Sequence, residues 1–165
     1  MKKVFLCALI SLCGICFAQS VSQKAASRRT AERCLKLSEN YFLAGDIDSA
    51  LYQAELGLTY DDSVSDLYYM KAVCRNKLGA AVREVLEISE TAREKKNWIG
   101  YNEKGNRILL SDLLSDTGKY EEALNELDRT PFVFSADAEA VRIKTYYREG
   151  SESSLSKARD KVNSA

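Results

Sequence analysis

From about residue 31 onward, apolar side chains recur every three or four positions, and no stretch alternates at the period of two that a half-buried strand requires. Proline is absent until Pro131. An all-α chain is predicted, since this spacing draws an apolar stripe along each helix that must be buried against a neighbour. Glycines mark the breaks between helices: Gly45, Gly79, Gly118 and Gly150 stand 34, 39 and 32 residues apart. Glycine ends a helix readily because it takes the left-handed backbone conformation without a Cβ penalty. A recurrence near 34 residues predicts helix pairs stacked in series.

The neighbours of these glycines agree. In the first unit Leu37, Ser38 and Tyr41 share a helix face and Gly45-Asp46 makes the turn. Ala50, Ala54 and Gly57 then line a second helix that ends at Tyr60-Asp61-Asp62. Small residues at Ser38, Ala50 and Gly57 allow two helices to approach closely. The third unit repeats the arrangement with Leu110, Ser111 and Leu114, then Gly118, Ala123, Leu124 and Leu127, closing near Pro131. Ser63-Val64-Ser65-Asp66 reads as a capping box, and Ser135 with Asp137 and Glu139 reads as a further helix start.

On these residues the chain resembles the tetratricopeptide repeat family, whose 34-residue helix-turn-helix carries small and aromatic residues at fixed places. With residue 31 as the first position, Ser38, Tyr41, Gly45, Ala50, Ala54 and Gly57 match the family pattern, with Asp62 where proline is usual. The second unit keeps Tyr68, Ala72, Gly79 and Ile88 but has Arg75 at the aromatic place and Glu84 at the small one. The third matches at Ser111, Leu114, Gly118, Ala123 and Leu127, and the fourth at Ile143, Tyr146, Gly150 and Leu155. The resemblance implies a right-handed superhelical solenoid of antiparallel helix pairs, with units at 31–64, 65–98, 104–135 and 136–165. About five surplus residues between Gly79 and Gly118 fall in Glu94–Tyr101, where a protruding helix or loop is expected. The polar final helix, with only Leu155, Ala158 and Val162 apolar, is expected to cap the array.

The first 18 residues follow a different pattern. Met1-Lys2-Lys3 precedes an uncharged apolar stretch, Val4 to Ala18, which is too short to span a bilayer and ends in small residues at the places a signal peptidase reads. An export signal over 1–18 is expected, then a flexible leader over 19–30, with the mature protein periplasmic or secreted and no membrane span left. Leu12-Cys13-Gly14-Ile15-Cys16 offers the alternative of a lipid anchor at Cys16, although Ile15 fits the usual lipobox poorly. Of five cysteines, only Cys34 and Cys74 lie outside this segment, and they read as small core residues in place of a disulfide framework.

Composition narrows the chemistry. Lysine and arginine total 24, aspartate and glutamate 24, and there is no histidine. A balanced, intermixed charge offers no footprint for nucleic acid. The absence of histidine removes the commonest general base and zinc ligand. No phosphate loop, dinucleotide fingerprint, nucleophile elbow, zinc spacing or calcium loop occurs, so neither an enzyme, a cofactor nor a metal site is expected.

The resemblance therefore implies binding of a protein or peptide along a concave face built from the first helix of each pair. Projecting the family's groove positions selects Leu35, Glu39, Phe42, Tyr69, Val73, Asn76, Ile108, Asp112 and Tyr147. Leu35 and Glu39 stand where some relatives clamp a terminal carboxylate with Lys and Asn, so that mode is not expected. A basic or apolar segment beside Glu32, Glu39, Asp66 and Asp112 is expected instead. Trp98 and Tyr101 are read as sealing the seam between units two and three, with a partner contact as the alternative. Arg93-Glu94-Lys95-Lys96 is read as a solvated helix end. The competing class is a self-associating structural solenoid, or a component of a solute-binding or transport assembly.

Overall fold

A computed structural model describes the backbone of residues 2–100, 102–129 and 135–163, and side chains from residue 22 onward. The expected export signal, Cys16, Tyr101 and the closing Pro131 lie outside the residues whose side chains are described. The described residues form helices only: α1 (Lys2–Leu43), α2 (Ile47–Tyr60), α3 (Ser65–Lys77), α4 (Val82–Lys95), α5 (Asn102–Asp116), α6 (Tyr120–Asp128), α7 (Ala136–Glu149) and α8 (Glu152–Asn163).

Four hairpins are made by the four expected glycines, each with positive φ: 83° at Gly45, 78° at Gly79, 80° at Gly118 and 71° at Gly150. In the first three, the glycine N–H donates to the carbonyl three residues back and the next residue's N–H to the carbonyl five back, as in Gly118 to Ser115 and Lys119 to Leu114. This pair of bonds is the Schellman closure, which satisfies carbonyls left open at a helix end. Gly150 instead donates to Tyr146, four residues back.

Within a hairpin, small residues bring the two helices together. Ser38 Oγ donates to the Ala50 carbonyl at 2.7 Å, and 73 residues later Ser111 Oγ donates to the Ala123 carbonyl at 2.8 Å. Gly57 lies so close to its neighbours that a Cβ there would sit 2.8 Å from Leu67 and 3.0 Å from Cys34. The core fills the seams between successive elements in three clusters: Ala31, Leu35, Ala54, Val64, Leu67 and Met70; then Ala72, Val85, Leu86, Leu110, Leu113, Leu114 and Ala123; then Leu127 and Ala138. Among the described residues each helix packs on the next, and the first helices also touch each other: α1 on α3, α3 on α5, and α5 on α7. Among the described residues no two of α2, α4, α6 and α8 come together along their backbones, although Arg93 of α4 reaches Glu126 of α6 through its side chain.

Several local expectations are corrected. Residues of the 19–30 leader lie within α1, where Arg28 binds Asp61 at 3.2 Å and the Asn97 side chain at 3.1 Å. Asp61 ends α2 of the same hairpin and Asn97 follows α4 of the next, 33 and 69 positions along the chain, a range that a period-free sequence does not signal. Glu84 is not at the small position of the second unit. The turn at Gly79-Ala80-Ala81 is one residue longer than the others, so Val85 makes the backbone bond to its helix cap that Ala50 and Ala123 make to theirs. Val85, Ser89 and Ala92, all fully buried, therefore take the places of Ala50, Ala54 and Gly57.

Residues 96–100 neither form a helix nor protrude. Asn97 and Ser65 are joined by two bonds, Asn97 N–H to Ser65 Oγ at 2.9 Å and Ser65 N–H to the Asn97 carbonyl at 3.0 Å. The Ile99 and Gly100 amides donate to Asp66 at 2.6 and 3.2 Å. Asp66 is thereby committed to this segment and buried, and the proposed capping box does not form: Val64 stands at the N-cap of α3, which has no side-chain cap. Ser135 does stand at the start of α7, through its carbonyl and without a side-chain cap. Cys34 and Cys74 are buried and free, and burial pushes the Cys74 thiol up to about 11.

Candidate functional site

The nine residues proposed for a groove all lie on first helices, but they divide by environment. Leu35 is 5% exposed and belongs to the first core cluster, so it is unavailable to a ligand. Phe42 and Tyr69 are half-buried against that cluster. Tyr69 also crosses Gly105, where a Cβ would lie 2.5 Å from its hydroxyl, and burial raises the phenol's pKa. Ile108 packs against Leu127 and Ala138. Val73 is half-buried, Asn76 is exposed, and Tyr147 is 72% exposed. The surface open to a partner thus narrows to Val73, Asn76 and Tyr147, with the partly covered edges of Phe42 and Tyr69.

The acidic residues expected to meet a basic ligand already have partners. Glu32 is 3.4 Å from Arg28. Glu39 accepts from Asn102 at 3.0 Å, which ties α1 to the start of α5. Asp66 holds the backbone amides described above. Asp112 pairs with Lys144, Lys144 also lies 3.6 Å from Asp116, and Asp116 pairs with Arg148. Two acidic residues one turn apart on α5 thus face two basic residues one turn apart on α7, and the charge is neutralised across the seam. A basic segment would have to displace existing contacts.

A concave feature was missed from sequence. A cleft of about 480 Å³ is lined by Arg93, Lys96, Arg107 and Arg129, with Trp98, Asn106, Glu94 and Glu103. It lies where the end of α4, the 96–100 segment, the start of α5 and the end of α6 meet. At its base Glu126 is 3% exposed and accepts from Arg93 at 2.8 Å and Arg107 at 3.5 Å, with Arg129 at 3.7 Å. A buried carboxylate needs such partners to offset its lost hydration. Arg107 also reaches Glu103 at 3.0 Å, and Asn106 donates to the Ser89 carbonyl at 3.1 Å beneath the cleft. Lys96 closes α4 in the left-handed conformation, with φ 53°.

Arg93 is therefore not part of a freely solvated helix end. No local spacing could have signalled this cluster, because its members come from three helices and meet only when two hairpins stack. Trp98 is half-buried and lines the cleft, so its ring is in part covered and in part presented. Among the described residues no group of His, Cys, Asp and Glu is arranged to hold a metal ion, and no helix is long and apolar enough to cross a membrane. The chain matches no protein-family model, and no curated protein matches it in sequence.

Proposed function

We propose that this chain is an exported, non-catalytic scaffold of the tetratricopeptide repeat type that binds a protein segment along its first helices. The observation that carries this reading is the asymmetry of backbone packing: α1, α3, α5 and α7 approach one another in succession, whereas among the described residues the backbones of α2, α4, α6 and α8 stay apart and α4 reaches α6 through the long Arg93 side chain on Glu126. A stack whose members are closer on one side bends toward that side, so the first helices would line the inner curve. Four glycine turns and the twice-used serine-to-alanine bond support a repeat built from one structural unit. Export rests on the signal pattern of residues 1–18.

Val73, Asn76 and Tyr147 are the contact residues on this reading, since they are open on that side without being required by the core. Affinity capture from envelope extract tests it, comparing the natural protein with Asn76→Ala and Tyr147→Ala singly and combined. A specific partner lost from the double variant, with an unchanged melting curve, is the expected result; equal capture by all forms overturns it. Self-association is the second reading, favoured by the exposure of Tyr147 and Val162, 72% and 59%, on the last hairpin. Light scattering separates the two: a concentration-independent monomer leaves the scaffold, and a dimer that Tyr147→Ala disperses replaces it.

A further inference from the structure

Each turn glycine provides a ruler for comparing the first helices. The residues 12, 9, 8, 5 and 4 positions before it are Arg33, Lys36, Leu37, Asn40 and Tyr41 on α1. All five are exposed, Leu37 at 45% and Tyr41 at 38%. On α3, α5 and α7 none of the corresponding residues is exposed. Leu110 and Leu114, the counterparts of Leu37 and Tyr41 on α5, are 0% and 2% exposed. The difference lies in what stands in front: α3, α5 and α7 are each packed against the preceding second helix, and among the described residues no helix packs on this face of α1.

The chain also displays the kind of helix that covers this face. Ahead of α5, α4 contributes Val85 and Leu86 to the cluster that buries Leu110 and Leu114. Where the covered face carries basic residues, the covering helix supplies an acid. Glu55 of α2 lies 3.2 Å from Lys71 and 3.6 Å from Arg75 of α3. Asp128 of α6 lies 2.6 Å from Arg142 of α7. On α1, the basic residues Arg33 and Lys36 have no side-chain hydrogen bond or ion pair among the described residues, and they flank Leu37 and Tyr41. By the pairing used at the internal seams, this surface calls for apolar side chains bordered by carboxylates.

We infer that the α1 face of Arg33, Lys36, Leu37 and Tyr41 docks an acidic amphipathic helix of a partner protein, which packs ahead of the first hairpin as α4 packs ahead of α5. The leucine and tyrosine supply the buried contact, and the two cations select acidic over basic helices. This surface is separate from the first-helix groove and stands whether or not the groove binds.

The test uses the full chain and two stapled helical peptides of 14 residues, the length of α2. Both carry one leucine stripe, bordered in one by glutamate and in the other by lysine. Fluorescence anisotropy is expected to give about tenfold tighter binding of the glutamate peptide, and Arg33→Glu with Lys36→Glu should reverse that order. Leu37→Ser with Tyr41→Ser should abolish binding of both peptides without altering the circular dichroism melt, whereas Asn76→Ala and Tyr147→Ala should leave it intact. Glutamate-peptide binding that is absent, or insensitive to charge reversal, overturns the inference. So does a dimer in sedimentation that the serine pair disperses, which makes a second copy the occupant. Binding to phosphatidylglycerol vesicles that depends on the same four residues, with no peptide binding, reassigns the face to a membrane and likewise overturns it.

Discussion

Glycine serves two physical purposes here, and they predict different costs on substitution. At Gly118 no atom lies within 4 Å of an added Cβ, so Gly118→Ala costs only the left-handed backbone, about 1–2 kcal/mol. Gly57 lies inside α2, where alanine would gain about 1 kcal/mol of helix propensity. Its Cβ would press on the fully buried Leu67 and on the Cys34 Cβ, an overpacking cost of about 1–3 kcal/mol. Urea midpoints should fall for both variants. Trimming the obstruction with Leu67→Ala should relieve the Gly57→Ala strain in a double-mutant cycle while showing no coupling to Gly118→Ala. Leu67→Ala is itself expected to cost about 2–5 kcal/mol through loss of buried surface and the cavity it leaves.

The buried thiols make a pH prediction at the same scale. Burial keeps Cys74 protonated up to about 11, while an unfolded thiol ionises near 9.0. Between those values the unfolded chain binds fewer protons than the folded one, so stability falls as pH rises, by about 3 kcal/mol across the window. Burial raises Cys34 in the same direction. Urea titrations at pH 8 and pH 10.5 should show this decline, and Cys74→Ala should flatten it. Labelling with iodoacetamide at pH 8 should be slow when native and rapid in urea, because the thiolate is the reactive form.

At the scale of elements, one serine bond is used in two hairpins and one segment is held by a buried acid. Ser111→Ala should cost about 1–2 kcal/mol by removing the donor to the Ala123 carbonyl, and Ser38→Ala should cost a similar amount in the first hairpin. Melting curves of the single and double variants should show nearly additive losses, since the two sites share no partner. Asp66→Asn preserves size but removes the carboxylate that receives the Ile99 and Gly100 amides. Its amide group cannot replace both charged acceptor contacts, and a loss of about 1–3 kcal/mol is expected. Hydrogen exchange should locate the released protection at residues 99 and 100.

At the scale of the whole molecule, the seams are held by apolar clusters and by cross-helix charges. Glu139 is typical: the hydrogen bond from Lys161 of α8 lowers its pKa despite some burial, with Arg142 assisting. Its contribution is present above the ordinary glutamate range and is lost as pH falls through the depressed value. Lys161→Ala should therefore loosen α8 at neutral pH by less than about 1 kcal/mol, because both groups are partly exposed, and the loss should vanish in acid. Amide exchange confined to α8 at pH 7 and pH 3 checks this.

What could be known from residue order follows from the range of each interaction. Helices and their glycine turns are set by neighbours within a few positions, so the three-to-four spacing and the residues around Gly45, Gly79, Gly118 and Gly150 were sufficient to determine an all-helical chain of hairpins. The extra residue at Ala80-Ala81 escaped, because counting from Gly79 cannot reveal that α4 starts one place later. The stitching of Asn97, Ile99 and Gly100 onto Ser65 and Asp66, and the gathering of Arg93, Arg107 and Arg129 around Glu126, depend on stacking of hairpins. Stacking likewise decided that Leu35 lies in the core, that Asp112 is spent on Lys144, and that Leu37 and Tyr41 stay open where Leu110 and Leu114 are closed. Whether a side chain meets protein or water depends on which helix stands in front of it, and only the tertiary arrangement supplies that helix.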